Sequence, residues 1–434
     1  MRITVLGTGY VGLVTAAGLA EFGHPVVGAD KDAAKIEKIR SGVSPIYEPG
    51  LEDLLKRNMA SGRLSFASDV GRAIREADVI FVCVGTPQDE EGRADMSQIE
   101  EVSRMIAENL NGYKLVVEKS TVPVRTSAWI KRVITLYRKG DQTFDIASNP
   151  EFLREGAAVG DFLNPDRIII GVETDKARAL LGGIYDRFRD RLLFTNIDTA
   201  ELIKHASNSF LATKISFINM IADLCEKTDA DVEQVALGMG LDPRIGCQFL
   251  KAGLGYGGSC FPKDVKALAK IGEDLGVNMD LLKETEKINR ERIDRFCEKI
   301  RRALWILKDK TIAVLGLAFK PETDDIREAS AIKIIHELLR EGARVRLYDP
   351  QAADNMKEIF PDEPPRVVFC GNPYEAAEGA NALLLITEWE EFRSLDLEKI
   401  KTLMTNAIII DGRNVFDPAD VRARGFEYAS IGRK

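Results

Sequence analysis

Short apolar runs rich in β-branched residues recur through the first part of the chain. They lie at 2–7 (RITVLG), 25–30 (PVVGAD), 78–84 (DVIFVCV), 114–118 (KLVVE), 144–148 (FDIAS) and 167–172 (RIIIGV), with polar stretches of helical character between several of them. Buried strands alternating with helices predict βαβ units and a mostly parallel, doubly wound sheet. From about residue 199 the pattern changes. Residues 199–240 and 264–300 keep a helical period and contain no strand runs. The stretch TAELIKHASNSFLATKISFINMIADLCEK has neither Gly nor Pro and predicts one long central helix. A helix of that length between two α/β lobes is also expected to carry a subunit contact. From 310 the strand runs return as TIAVLGLAF, ARVRLYDP, RVVFC, NALLLIT and AIIIDGR, with a helix expected over 329–341. The expected fold is α/β, with two doubly wound domains joined by a long central helix and a helical middle region. The expected domains are 1–198, 199–305 and 306–434.

Bulk composition narrows the function classes. A chain of 434 residues is too long for one core of ordinary size. Its 60 Lys and Arg against 68 Asp and Glu give a net charge of −8, which argues against a general nucleic-acid binder. There is no apolar run of the ~18 residues that a membrane helix needs. The N-terminus runs straight into a strand, so a cytoplasmic protein is expected. Three histidines and six scattered cysteines offer no zinc-like spacing, and no metal site is expected. Cys83, Cys225, Cys247, Cys297 and Cys370 lie in apolar or helical runs and read as reduced core residues. Cys260 is different.

Gly7-x-Gly9-x-x-Gly12 follows the first strand and opens a helix. The first glycine makes the tight turn, the second admits a pyrophosphate, and the third lets helix and strand pack closely. Asp30 ends the second strand, where a carboxylate accepts from both ribose hydroxyls and repels a 2′-phosphate. NAD is therefore expected, although Lys31 and Lys35 beside it would tolerate the phosphate of NADP. A plain strand–helix turn is the alternative. Val84-Gly85-Thr86-Pro87 and Ser120-Thr121 end two further strands, at the edge where such sheets bind ligands. Either could equally be a turn.

Three further clusters carry chemistry. Asn149-Pro150-Glu151 reads as a helix start, which would place Glu151 and Glu155 on one face. They would serve the helix dipole or stand near a reacting alcohol. Lys204 and Asn208 are four apart on the long helix, and the lysine either snorkels or holds an oxyanion. Cys260 sits in LGYGGSCFPKD at 254–264. A thiolate there can add to an aldehyde, so that a second oxidation gives a thioester and then an acid. Lys263, Lys204 and backbone N–H groups would favour the thiolate, and Asp264 could activate the hydrolytic water.

These stretches resemble the nucleotide-sugar dehydrogenase family, with its two Rossmann-like domains, and within it the branch acting on UDP-glucose. The resemblance runs through VLGTGYVGL, IYEPGL, CVGTP, KSTVPV, SNPEFLREG, ELIKHASNSFLATKISFIN, GLGYGGSCFPKD, GLAFKPETDDIRE, YDP and TEWEEF. It implies four-electron oxidation of UDP-glucose to UDP-glucuronate with two NAD+. By the same resemblance Cys260, Lys204, Asn208, Asp264, Thr121 and Glu151 are catalytic. NAD contacts are implied for Gly7, Gly9, Tyr10, Val11, Gly12, Asp30, Lys35, Thr86, Ser120, Thr121, Glu155, Lys263 and Arg327. Contacts with the sugar nucleotide are implied for Glu151, Phe152, Leu153, Lys204, Asn208, Arg244, Phe249, Lys251, Tyr256, Gly257, Phe319, Lys320 and Arg413. Arg244 resembles an arginine that reaches substrate on the other subunit, so a homodimer or higher even oligomer is expected.

Position 125 is Arg where the family usually has Gly, 254 is Leu where bacterial members often have Pro, and 329 is Ala where members often have Ser. Ser259 and Phe261 beside the cysteine favour UDP-glucose over UDP-N-acetylhexosamines and GDP-mannose. A one-step hydroxyacid dehydrogenase would have no use for the loop thiol or the second α/β domain. A sugar-nucleotide sensor would not need Cys260, Lys204 and Asp264 together.

Overall fold

The computed structural model describes residues 1–88 and 94–434. The chain divides into two compact units, Met1–Ser207 with Lys270–Gly276, and Asn208–Ala269 with Val277–Lys434. Most of the helical middle thus stands in the unit of the C-terminal sheet.

In the first unit, the described residues form eight strands. They are Ile3–Leu6 (β1), Val26–Ala29 (β2), Leu64–Ala67 (β3), Val79–Val82 (β4), Lys114–Glu118 (β5), Phe144–Ser148 (β6), Ile168–Val172 (β7) and Leu192–Thr195 (β8). Their order is β3-β2-β1-β4-β5-β6-β7-β8. All neighbours are parallel except β6 and β7. Side chains alternate across a strand. Val79 and Phe81 therefore join one core cluster, and Ile80 and Val82 join the cluster on the opposite face. A sheet buried on both faces needs continuous apolar runs, and those runs are what made the inner strands legible. The edge strands β3 and β8 bury less, so LSFA and LLFT carry no comparable signal.

The strand order reverses between β1 and β4. Ligands of doubly wound sheets bind at that crevice, beyond the carboxyl ends of the strands. The segments following β1, β4, β5 and β6 all emerge at this edge, because these strands run parallel.

The long helix is Ile197–Cys225; its early turns belong to the first unit and the remainder to the second. The second unit adds the helices Val232–Gly240 and Asp280–Leu304 and the larger part of Phe261–Asp274, whose end from Lys270 on belongs to the first unit. Its sheet comprises Thr311–Leu315 (β9), Arg344–Tyr348 (β10), Val367–Phe369 (β11), Ala382–Leu385 (β12), Ile408–Asp411 (β13) and Glu427–Ala429 (β14). The order is β11-β10-β9-β12-β13-β14, all parallel. Ile293, Phe296, Ile300 and Leu304 recur at helical spacing and belong to the same core as this sheet. Arg292 is buried inside this unit and pairs with Asp223 of the long helix. Among the described residues no helix is long and apolar enough to cross a membrane.

Two expectations fail locally. No helix starts at Asn149; residues 149–154 run as a loop, and the helix there is Ala158–Leu163. The Asn149 side chain is occupied elsewhere, with Nδ2 donating to Ile169 O at 2.8 Å and Oδ1 accepting from Tyr185 at 2.7 Å and Lys119 at 3.2 Å. It ties neighbouring strand ends together and cannot cap, so Glu151 and Glu155 do not share a helix face. Cys247 is also no core residue: it is exposed, whereas Cys83, Cys225, Cys297 and Cys370 are buried.

Candidate functional site

The first unit presents a glycine-lined pocket. Gly7 turns with φ +91°, and a Cβ there would lie 2.7 Å from Cys83 O. A Cβ on Gly12 would lie 1.9 Å from Gly7 O, so helix and strand meet too closely for any side chain. Gly9 faces open space. Gly7 and Gly9 border a cavity of about 200 Å³ together with Asp30, Lys35 and Gly85. Asp30 Oδ2 accepts from Thr8 N at 2.9 Å, Thr8 Oγ1 at 2.8 Å and Lys35 Nζ at 2.8 Å. Burial alone would raise this carboxyl, but the Lys35 ammonium and the Thr8 and Asp32 N–H bonds outweigh it and hold the group at about 2. A tight glycine turn, a helix N-terminus and a fixed anion fit a dinucleotide. Lys35 serves that carboxylate here, which explains a cation so close to a site expected to reject phosphate. Tyr10, the first residue of the helix, donates to the buried Glu48, and Val11 packs against the same core.

Beyond β4 and β5, Thr86 Oγ1 donates to Thr121 O at 2.8 Å and Ser120 Oγ to Val84 O at 2.8 Å. These residues therefore form one connected wall. Beyond β6, Glu151 Oε1 accepts from Lys204 Nζ at 2.8 Å, with both side chains only 5 % exposed. Glu151 Oε2 also accepts from Leu153 N at 2.5 Å, which fixes the carboxylate. The Lys204 ammonium lies 5.4 Å from the Phe152 ring centre. Glu155 lies near Tyr10, whose hydroxyl is pushed above its ordinary value, first by burial and then by Glu48 and Glu155.

The second unit holds the thiol. Cys260 precedes helix Phe261–Asp274, and its carbonyl accepts from Asp264 N at 2.9 Å. The residue thus stands at a helix N-terminus, where N–H groups favour negative charge. Ser259 Oγ is 3.6 Å from Cys260 Sγ. Asp264, one turn on, is 1 % exposed. Its Oδ2 accepts from Asn208 Nδ2 at 2.6 Å, and Lys263 Nζ lies 3.5 Å from its Oδ1. The preceding glycines answer to packing. A Cβ on Gly257 would meet Glu328 O at 2.4 Å, one on Gly258 the Phe319 ring at 2.7 Å, and one on Gly255 Asn289 Oδ1 at 2.2 Å. Tyr256 and Phe249 flank Phe261 at 5.9 and 6.1 Å between ring centres.

Arg413 donates to the carbonyls of Ile386, Gly255 and Phe319, so it pins the cysteine loop to two sheet loops. Lys320 lies 5.4 Å from the Phe319 ring centre. Arg327 pairs with Asp325, Arg244 is 87 % exposed and pairs with Asp242, and Lys251 is exposed. In the turn after β9, Leu317 N and Ala318 N donate to the buried Asp349 carboxylate. Asp349 thus stands against this turn as Asp30 stands against the first, where Thr8 N donates to it.

Some residues at the site carried no role in the sequence reading. Gln98 and Glu101, from helix Ser97–Glu108, border the dinucleotide pocket. Nothing in their spacing announces this. Glu48 accepts from Gly156 N and Ala158 N at 2.7 Å each, fixing the loop that contains Glu155. Lys119 is buried behind Asn149, and burial pushes its ammonium down to about 8. Both lie inside motifs already noted, IYEPGL and KSTVPV.

Family models match along the chain: the NAD binding domain of the UDP-glucose/GDP-mannose dehydrogenase family over residues 1–189, its central domain over 198–291 and its UDP binding domain over 313–418. The chain is 45% identical over 432 residues to UDP-glucose 6-dehydrogenase TuaD of Bacillus subtilis (strain 168), covering 100% of this chain and 93% of the relative. It is 47% identical over 443 residues to a UDP-glucose 6-dehydrogenase of Rhizobium meliloti (strain 1021), covering all of both. A UDP-glucose dehydrogenase from the hyperthermophilic archaeon Pyrobaculum islandicum superposes with a TM-score of 0.92 at 38% identity, covering 100% of this chain and 98% of that one.

Proposed function

The chain belongs to the UDP-glucose/GDP-mannose dehydrogenase family, and from that premise we propose that it oxidises the 6-hydroxymethyl of UDP-glucose to the carboxylate of UDP-glucuronate. The observation that carries this reading is Cys260 at a helix N-terminus with Asp264, bonded to Asn208, one turn behind it. A one-step dehydrogenase needs no such thiol. The relatives named as UDP-glucose 6-dehydrogenases support the choice of sugar.

Gly7, Gly9, Gly12 and Asp30 would hold NAD+, with Thr86, Ser120, Thr121 and Glu155 toward its nicotinamide end. When bound, it takes up a hydride in each of two oxidations. Overall, alcohol, two NAD+ and water give carboxylate, two NADH and three protons. Lys204, held by Glu151, supports the negative charge on the 6-oxygen. The Cys260 thiolate bonds to the aldehyde carbon, and the carbonyl pair moves to oxygen, which the Asn208 amide helps to hold. After the second oxidation the carbon is a thioester. Water then adds to it, with Asp264 and Thr121 placing the water and Asp264 taking a proton. The C–S bond breaks, its electron pair returning to sulfur. Phe249, Lys251, Tyr256, Gly257, Phe319, Lys320 and Arg413 would line the sugar-nucleotide cleft, with Lys263 and Arg327 toward the cofactor.

A panel of UDP-glucose, GDP-mannose and UDP-N-acetylhexosamines with NAD+ tests this. We expect two NADH per sugar and the highest kcat/KM on UDP-glucose. One NADH per sugar would replace the reading with a one-step oxidation, and a better GDP-mannose or N-acetylhexosamine would replace the sugar.

The long helix also leaves an apolar stripe. Phe210, Phe217 and Leu224 recur every seven residues and are 66, 41 and 59 % exposed. Such a stripe calls for a cover, and a second copy of the chain is proposed, with Arg244 reaching its neighbour's substrate. Phe210→Glu with Leu224→Glu should sediment as a monomer of 48.1 kDa with little activity. A double variant that keeps the wild-type sedimentation would remove this interface.

A further inference from the structure

The segment that carries Thr121 is held by buried side chains. Glu118 Oε1 accepts from Ser120 N at 2.7 Å, and His205 Nε2 lies 2.7 Å from Val122 O. Glu201 holds the far end: Oε2 accepts from Arg125 N at 2.6 Å, and Oε1 accepts from Ser127 N at 2.9 Å and Ser127 Oγ at 2.7 Å. Glu201 is 2 % exposed and lies on the long helix one turn before Lys204.

Helix Thr126–Tyr137 begins immediately after Arg125. That residue stands at φ +77°, and its side chain makes no cap. A left-handed conformation is unfavourable for any residue with a Cβ. The helix therefore starts without its own cap, from a residue that resists the required turn. The Glu201 carboxylate supplies the missing acceptor from another helix. Remove it, and the Arg125 and Ser127 amides lose the carboxylate that holds the turn.

We propose that Glu201 is a positioning residue for the hydrolytic half of the reaction, fixing the Thr121 loop through the amides of Arg125 and Ser127. This rests on the role given above to Thr121 in placing the water. Glu201 acts through the loop and does not touch the reacting atoms. The role is specific to one half-reaction, because thioester hydrolysis needs the water in place and the oxidations do not.

The test is Glu201→Gln, assayed with UDP-glucose and NAD+. A glutamine has one acceptor oxygen and presents an NH2 to backbone donors. We expect kcat to fall about tenfold, KM for NAD+ to stay within about twofold, and a covalent adduct on Cys260 to accumulate in intact mass spectra of the quenched enzyme. Arg125→Gly in the same background should recover most of the lost kcat, because glycine takes the left-handed turn without help. Unchanged kcat overturns the proposal, as does a slowed enzyme without adduct. Asp264→Asn separates the two levels of the argument. If it accumulates adduct and Glu201→Gln does not, the positioning role alone fails. If neither does, the thioester reading fails and this role with it. Should Glu201→Gln not fold, Ser127→Ala gives the same readout: adduct above the wild-type level supports the proposal, and no change overturns it.

Discussion

Cys260→Ser should abolish formation of the acid while leaving the fold intact. Serine is nearly isosteric and is a favoured residue at the position before a helix, where Cys260 stands. The melting temperature should therefore not fall. The hydroxyl is far less acidic than a thiol, so it adds poorly to an aldehyde. Loss of a covalent nucleophile costs at least ~10³-fold in kcat. Product analysis by anion exchange, beside NADH release, reads both halves of the reaction. Acid formed at near wild-type rate would eliminate the covalent route, whatever the substrate.

The second large effect is expected at Lys204. Its ammonium and the Glu151 carboxylate lie 2.8 Å apart, and both side chains are 5 % exposed. Removing one partner of a buried pair leaves an uncompensated charge and costs about 3–5 kcal/mol. Lys204→Met should sit near the lower figure, because Lys119 is a second cation close to Glu151. Thermal unfolding reads this directly. Activity should fall ~10²- to 10³-fold, since the charge that supports the 6-oxygen is gone. Lys204→Met with Glu151→Leu discriminates between the two losses. An apolar pair of similar volume can be as stable as the ion pair, so stability should return and activity should not. If the double variant regains activity, Lys204 is structural. If Lys204→Met unfolds no more easily than wild type, the pair is not the buried contact described here.

The two effects differ in how far they could be foreseen. Cys260 announced itself, because a thiol among glycines next to Pro-Lys-Asp has few reasons to exist. The glycines beside it also answer to packing, since a Cβ on Gly255, Gly257 or Gly258 would meet Asn289, Glu328 or Phe319. Lys204 was only a lysine on an apolar helix face; its partner lies 53 residues away. Glu151 was expected to sit in a helix with Glu155. That reading weighed Asn and Pro as local signals and missed that Asn149 was already bonded to Ile169, Tyr185 and Lys119.

By itself the sequence determined the strands of the two sheet interiors, the long helix, the dinucleotide turn and the identity of the thiol. These follow from short-range rules: continuous apolar runs make strands buried on both faces, an unbroken helical period makes a helix, and a glycine triplet after a strand admits a phosphate. Only the tertiary structure decided which polar groups share a buried space. It paired Lys204 with Glu151 and Asn208 with Asp264, and it brought Glu201 to the Arg125 turn. It also set Asp349 against the second glycine turn, as Asp30 stands against the first. The reason is physical. A buried charge or amide must find a partner, and which partner lies within 3 Å depends on how helices and strands far apart in the chain pack together.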